Sequence, residues 1–163
     1  MMSLRQNYIL GFIIACILLT TSVYLQLFDG FIPCPLCTLQ RFSFFLIGFF
    51  FLILIFIYKR TILSMFIHLL AISSAVMGLV FAGRQIYLQH FSSGGNECGV
   101  SIQYMLQVLP LSDVAQKIFA GSAECSVDGW TFLRLNMAEW TFLWFIFFLF
   151  FTIYLSFKHR QYK

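Results

Sequence analysis

The chain has 163 residues, 61% of them hydrophobic and 10% charged, with a formal net charge of +4 and a mean hydropathy of +0.90. A soluble domain carries about a quarter charged residues and roughly half apolar ones, so this composition excludes a water-solvated domain and describes a chain solvated by lipid. The basic residues form no patch long enough to track a phosphate backbone, which removes nucleic acid as a partner.

Four stretches are long and apolar enough to cross a hydrocarbon core, which takes about 20 residues. Tyr8 to Phe28 carries no formal charge; it is too long for a signal-peptide core, lacks a small-residue cleavage site, and reads as a retained anchor over about 8–28. A short outer turn at Asp29 to Pro33 leads to the second stretch, expected as a helix over about 38–58. A tight inner turn at Tyr58-Lys59-Arg60 follows, then a third helix over about 61–84. That helix carries His68, read as a polar contact facing the bundle, and small residues at Ala71, Ala75, Gly78 and Ala82, whose spacing suits close backbone packing. An outer loop over about 89–136 separates it from a fourth helix over about 139–157 and a short basic tail. In lipid each span must satisfy its own backbone hydrogen bonds, so helices are the only sensible reading. Residues 1–163 are therefore expected to form one all-α membrane domain, a four-helix transmembrane bundle with a long extracytoplasmic loop between helices three and four. The 22 Phe residues read as apolar filler rather than a stacking device.

Charge sets the orientation. With both termini on one side, that side holds Arg5, Lys59, Arg60, Lys158, Arg160 and Lys163 and no acid, whereas all six acidic residues fall on the other. Excess Lys and Arg flanking the helices marks the cytoplasmic face, so both termini are expected inside.

The outer loop has apolar patterning of its own. Leu111, Val114, Ala115, Ile118 and Phe119 share one helical face, with Ser112 or Asp113 available as a cap. Trp130, Phe132, Leu133 and Leu135 add an apolar stretch before helix four. These segments lie either in the membrane interface or in a small subdomain packed on itself. Ser92-Ser93-Gly94-Gly95-Asn96 reads as a flexible lead into Cys98.

Cysteines carry the chemistry. Cys34-Pro35-Leu36-Cys37 stands at the mouth of helix two, and Cys98 and Cys125 lie in the outer loop. Thiols react as thiolates, which a helix N-terminus or a nearby cation stabilises. Pro33 and Pro35 favour a helix start here, placing Cys34 and Cys37 at the positive end of the dipole. Arg41 is one turn beyond Cys37 on the same face. An arginine at a bilayer edge either snorkels or serves a function, here stabilising the Cys37 thiolate or an electron acceptor's oxygen. Three readings of the four cysteines compete. Zinc ligation would need a short spacing in the second pair, which is missing, so no metal is expected. Structural staples are common outside the cytoplasm, and closing the Cys98 to Cys125 loop would contribute roughly 3–4 kcal/mol. A two-residue gap, however, closes a small ring that staples nothing distant, which favours a redox relay. Cys16, in the middle of helix one, reads as a small packing residue. With no dinucleotide fingerprint, haem-attachment motif or iron–sulfur run, a lipid-soluble acceptor such as a quinone is the simplest electron sink.

Pro33-Cys34-Pro35-Leu36-Cys37 followed by Gln40-Arg41 resembles the signature of the disulfide bond formation protein B (DsbB) family. Gly83, Gln85 and His90, Leu109-Pro110-Leu111, Cys125 after a Phe-Ala-Gly-Ser run, and Trp130, Phe132, Leu133, Leu135 and Met137 also match; Ala138 stands where the pattern has a proline, which predicts a less rigid start to helix four. The resemblance implies a bacterial inner-membrane thiol oxidase that reoxidises a periplasmic, thioredoxin-fold protein of the DsbA type and passes the electrons to ubiquinone or menaquinone. It further implies catalytic roles for Cys34, Cys37, Cys98 and Cys125, with Arg41 and His90 at the quinone. A rival reading is a non-enzymatic four-helix membrane scaffold with structural loop disulfides, but such a scaffold has no use for a dithiol at a helix mouth.

Overall fold

The computed structural model describes residues 3–29, 34–91, 110, 113, 131–132 and 134–161. Four long helices carry the architecture: α1 (Leu4–Asp29), α2 (Pro35–Ile57), α3 (Thr61–Phe91) and α4 (Met137–Gln161). At about 1.5 Å per residue, the shortest of them, 23 residues, exceeds the roughly 30 Å of a hydrocarbon core. All four are apolar enough to span a membrane. Helix α1 packs along α2, α2 along α3 and α3 along α4, with a narrower seam between α1 and α4.

All four helices differ in extent from the sequence reading: α1 starts earlier, at Leu4, α4 runs on to Gln161, and α2 and α3 shift as well. Helix α2 begins at Pro35 because proline at the first helical position needs no N–H and Cys34 caps the turn. Helix α3 continues to Phe91, since nothing from Arg84 onward breaks it, and its last two turns carry Gln85 and His90. The α2–α3 turn closes with Arg60 N–H donating to Ile57 O at 2.8 Å.

Aromatic rings fill the centre. Phe44 stacks on Phe145 with centroids 4.1 Å apart, and Phe51 and Phe148 are fully buried beside them. Other rings, Phe28, Phe56 and Phe150 among them, point outward into what would be lipid. Of the small residues on α3, Ala71, Ala75 and Ala82 are completely covered, and Gly78 lies directly beneath the Phe145 ring, where any Cβ would collide with it. Such close approach is how helices associate when lipid supplies no hydrophobic drive.

At the end opposite the cysteine motif, Tyr8 on α1 and His68 on α3 meet at 3.2 Å, both buried. The expectation for Cys16 needs correction. It is exposed on the outside of α1, one residue round from Ala15, which takes the inward position against Gly48.

Just before α4 a two-residue ladder pairs β1 (Thr131–Phe132) with β2 (Leu135–Asn136). Arg134 adopts φ 65°, the left-handed conformation a two-residue hairpin loop requires. The apolar stretch read before helix four is thus partly a hairpin. The start of α4, despite Ala138, is secured by reciprocal capping: Glu139 N–H donates to Asn136 Oδ1, and Asn136 N–H to Glu139 Oε2, each at 2.9 Å. Apart from Pro110 and Asp113, the expected amphipathic turn around Leu111 to Phe119 lies outside the described residues, as does the segment before Cys98.

Candidate active site

Cys34 occupies the N-cap of α2, with extended φ −63° and ψ 153°, and its Sγ accepts the Cys37 N–H at 3.2 Å. The Cys34 thiol points at Cys37 Sγ across 2.7 Å. Cys34 is buried against Leu36 and Leu88, whereas Cys37 is only half-buried. One sulfur is covered and the other remains approachable.

Cys37 also meets α3. Gln85 Nε2 donates to Cys37 Sγ at 3.2 Å, and Gln85 Oε1 accepts from Gln40 Nε2 at 2.7 Å. Gln40 Oε1 in turn accepts from the Thr141 hydroxyl of α4 at 2.9 Å. Both glutamines are buried, at 6% and 4% exposure, so each amide needs these partners. The sequence reading noted Gln40 and Gln85 only as family marks and missed Thr141 altogether; the available signal was three polar side chains at one end of otherwise apolar helices.

Arg41 lies on the expected face of α2, but its guanidinium turns toward α1. Nε donates to Ser22 Oγ at 2.8 Å, Nη2 to Ser22 O at 3.2 Å, and Nη1 to Gln26 Oε1. Every one of these partners is a neutral oxygen. Among the described residues no carboxylate meets the guanidinium, so its charge is oriented by neutral oxygens and keeps its pull on an anionic group.

His90 sits in the last turn of α3, where its Nε2 meets Glu139 Oε1 at 3.2 Å across the gap to α4. The structure thus brings Cys34, Cys37, Gln85, Gln40 and Thr141 together, with Arg41 a turn away and His90 on the rim. Cys98 and Cys125 lie outside the described residues.

A dithiol at a helix mouth, set in a lipid-embedded bundle, defines a class: membrane oxidoreductases that work through cysteine pairs. Comparison with known proteins narrows it. The family described as Disulfide bond formation protein DsbB matches residues 4–155. Proteins named Disulfide bond formation protein B are similar along most of their length. The one from Marinobacter nauticus is 37% identical over 88% of this chain and 86% of its own. That of Azoarcus sp. is 34% identical over 85% and 84%, and that of Xanthomonas euvesicatoria 29% identical over 98% and 94%. The chain belongs to the DsbB family. It is a multi-pass membrane oxidoreductase of disulfide bond formation.

Proposed function

We propose that this protein sits in the bacterial inner membrane with both termini cytoplasmic, and that Cys34, Cys37, Cys98 and Cys125 form the relay that oxidises a periplasmic DsbA-type partner. The observation that carries the reading is the Cys34–Cys37 pair at the start of α2, one sulfur covered and the other open.

A thiolate of the reduced partner attacks Cys98, breaking a Cys98–Cys125 bond and forming a mixed disulfide. Cys125, released as a thiolate, attacks Cys34; the Cys34–Cys37 bond breaks and Cys37 leaves as a thiolate. The partner's second thiolate then resolves the mixed disulfide, and the partner departs oxidised. Cys98 next attacks Cys125, restoring the loop pair and releasing Cys34. The two electrons now reside on Cys34 and Cys37, and their removal re-forms that bond.

A membrane quinone, ubiquinone or menaquinone, supplies the acceptor for those two electrons and two protons. Three observations fit such a group. Cys37 is open where Cys34 is not, Arg41 meets only neutral oxygens among the described residues, and Phe42 and Phe45 beside it face outward. Arg41 would attract a quinone oxygen, and His90, on the rim, would act at the water boundary.

Turnover followed by quinone absorbance, with a reduced DsbA-type protein as donor, tests the assignment. Cys37→Ser is expected to abolish it, and Cys98→Ser to abolish only the partner-driven reaction. Unchanged turnover in both variants refutes the reading.

A further inference from the structure

We propose that Gln85 is the hydrogen-bond donor that stabilises the Cys37 thiolate, with Gln40 and Thr141 as the positioning residues that fix its amide. The inference rests on the reading that electrons leave through Cys37.

The donors around the dithiol are divided. The N–H of Cys37, in the first turn of α2, goes to Cys34 Sγ. That contact serves the buried sulfur; a negative charge on Cys37 draws on the Cys34 thiol, aimed at it across 2.7 Å, and on a donor from another helix. Gln85 on α3 provides it, with Nε2 at 3.2 Å from Cys37 Sγ.

The direction of the Gln85 amide is dictated by its neighbours. An amide group has one accepting oxygen and one donating nitrogen. Gln85 Oε1 accepts from Gln40 Nε2 at 2.7 Å and lies 3.6 Å from Cys37 Sγ, and Gln40 Oε1 lies 2.9 Å from the Thr141 hydroxyl, which also reaches Ala138 O at 2.8 Å. Turning Gln85 alone sets donor against donor and turning Gln40 alone sets acceptor against acceptor, so the two amides are locked to each other; an ionised Cys37 only accepts, which selects Gln85 N–H toward sulfur and leaves Gln40 Oε1 to take the Thr141 hydroxyl proton. Gln85 and Gln40 are 6% and 4% exposed, and a charge-assisted hydrogen bond sheltered from water is stronger than one competing with it. The relay joins α2, α3 and α4, so the packing of three helices holds the reduced form of the dithiol.

The test uses the full chain in detergent and measures two quantities that a packing defect alone would not move together. One is the alkylation rate of Cys37 after reduction, resolved from Cys34 by fragment mass spectrometry. The other is the reduction potential of the Cys34–Cys37 pair. Loss of a hydrogen bond to a charged group is expected to slow Cys37 alkylation about tenfold in Gln85→Leu. A tenfold loss of stability in the reduced form lowers the potential by about 30 mV, while Cys34 alkylation stays as in the wild type. Thr141→Val is expected to shift both readouts in the same direction by less, and Thr141→Ser to restore them. If Gln85→Leu does not fold, the Thr141 pair decides. Wild-type Cys37 reactivity in Gln85→Leu, or in Thr141→Val where that pair decides, overturns the donor role. So does equal slowing at Cys34. The underlying reading fails separately: a Cys37→Ser variant that still turns over sinks it whatever Gln85 does.

Discussion

Ser22 grips Arg41 twice, through its hydroxyl at 2.8 Å to Nε and through its backbone carbonyl at 3.2 Å to Nη2. A charge on α2 is thereby aimed by α1, across a helix pair whose contact is otherwise apolar. Gln26, one turn further along α1, takes the remaining arm of the fork through Nη1.

Replacing Arg41 by His removes the fork and shortens the reach. The expected result is a rise in apparent KM for the quinone of about tenfold or more, the cost of one charge-assisted hydrogen bond, with a much smaller effect on the KM for the partner protein. Ser22→Ala should give a weaker version of the same pattern, since the charge stays but its aim loosens. Steady-state kinetics with each substrate varied in turn checks both. Equal effects on the two KM values would make Arg41 a snorkelling anchor only.

The contrast between Arg41 and the cysteines shows what a sequence reveals here. The four spans were legible because they depend on a local property, uncharged stretches of sufficient length. The site's placement at the mouth of α2 was legible too, because Pro35 and Cys34 act within a single turn. Helical spacing placed Arg41 on the face of Cys37 but said nothing about which neighbouring helix that face would meet. The Gln85–Gln40–Thr141 chain was invisible for the same reason, since its bonds join residues 45 and 101 positions apart. Cys16 was misplaced because mid-helix depth gives no rotational setting; Ala15, one step away, holds the inward position.

Tyr8 and His68 offer a test of stability separated from catalysis. His68 Nδ1 donates to Ser64 O at 2.7 Å, which leaves Nε2 to accept the Tyr8 hydroxyl at 3.2 Å. Tyr8→Phe strands that nitrogen among buried neighbours. Interhelical hydrogen bonds in membrane bundles contribute about 0.6 kcal/mol on average and up to roughly 1.7. A loss in that range is expected in a thermal or denaturant titration, with turnover unchanged, because the pair sits at the end of the bundle remote from Cys37. A drop in turnover at full folded population would tie this end to the electron path.

The join between α3 and α4 separates a buried cap from an exposed ion pair. Asn136 caps α4 and also donates from Nδ2 to Gln89 Oε1 at 2.9 Å, while itself only 6% exposed. Asn136→Ala should cost about 1 kcal/mol or more. His90 meets Glu139 with 56% of its side chain exposed, and pairs of that kind contribute less than about 1 kcal/mol. His90→Ala should therefore destabilise less than Asn136→Ala by chemical denaturation. The reverse order would give the His90–Glu139 contact a structural weight that its exposure argues against.

Gly78 is the position where the bundle has least room. A Cβ there meets the Phe145 ring, and Phe145 cannot retreat, because it is stacked on Phe44 and fully buried. Gly78→Ala normally helps a helix by about 1 kcal/mol, but here the added methyl forces α3 from α4 or the ring from its stack. Overpacking of this kind costs about 1–3 kcal/mol, so a net loss of stability is expected despite the better helix former. Phe145→Leu alone should also destabilise by leaving space beside Phe44. Combined, the two changes compensate sterically, and the double variant should be more stable than the sum of the single effects predicts. A double-mutant cycle in detergent measures that coupling. Simple additivity would mean that α3 and α4 adjust freely at this contact, and Gly78 would then have no packing role to protect.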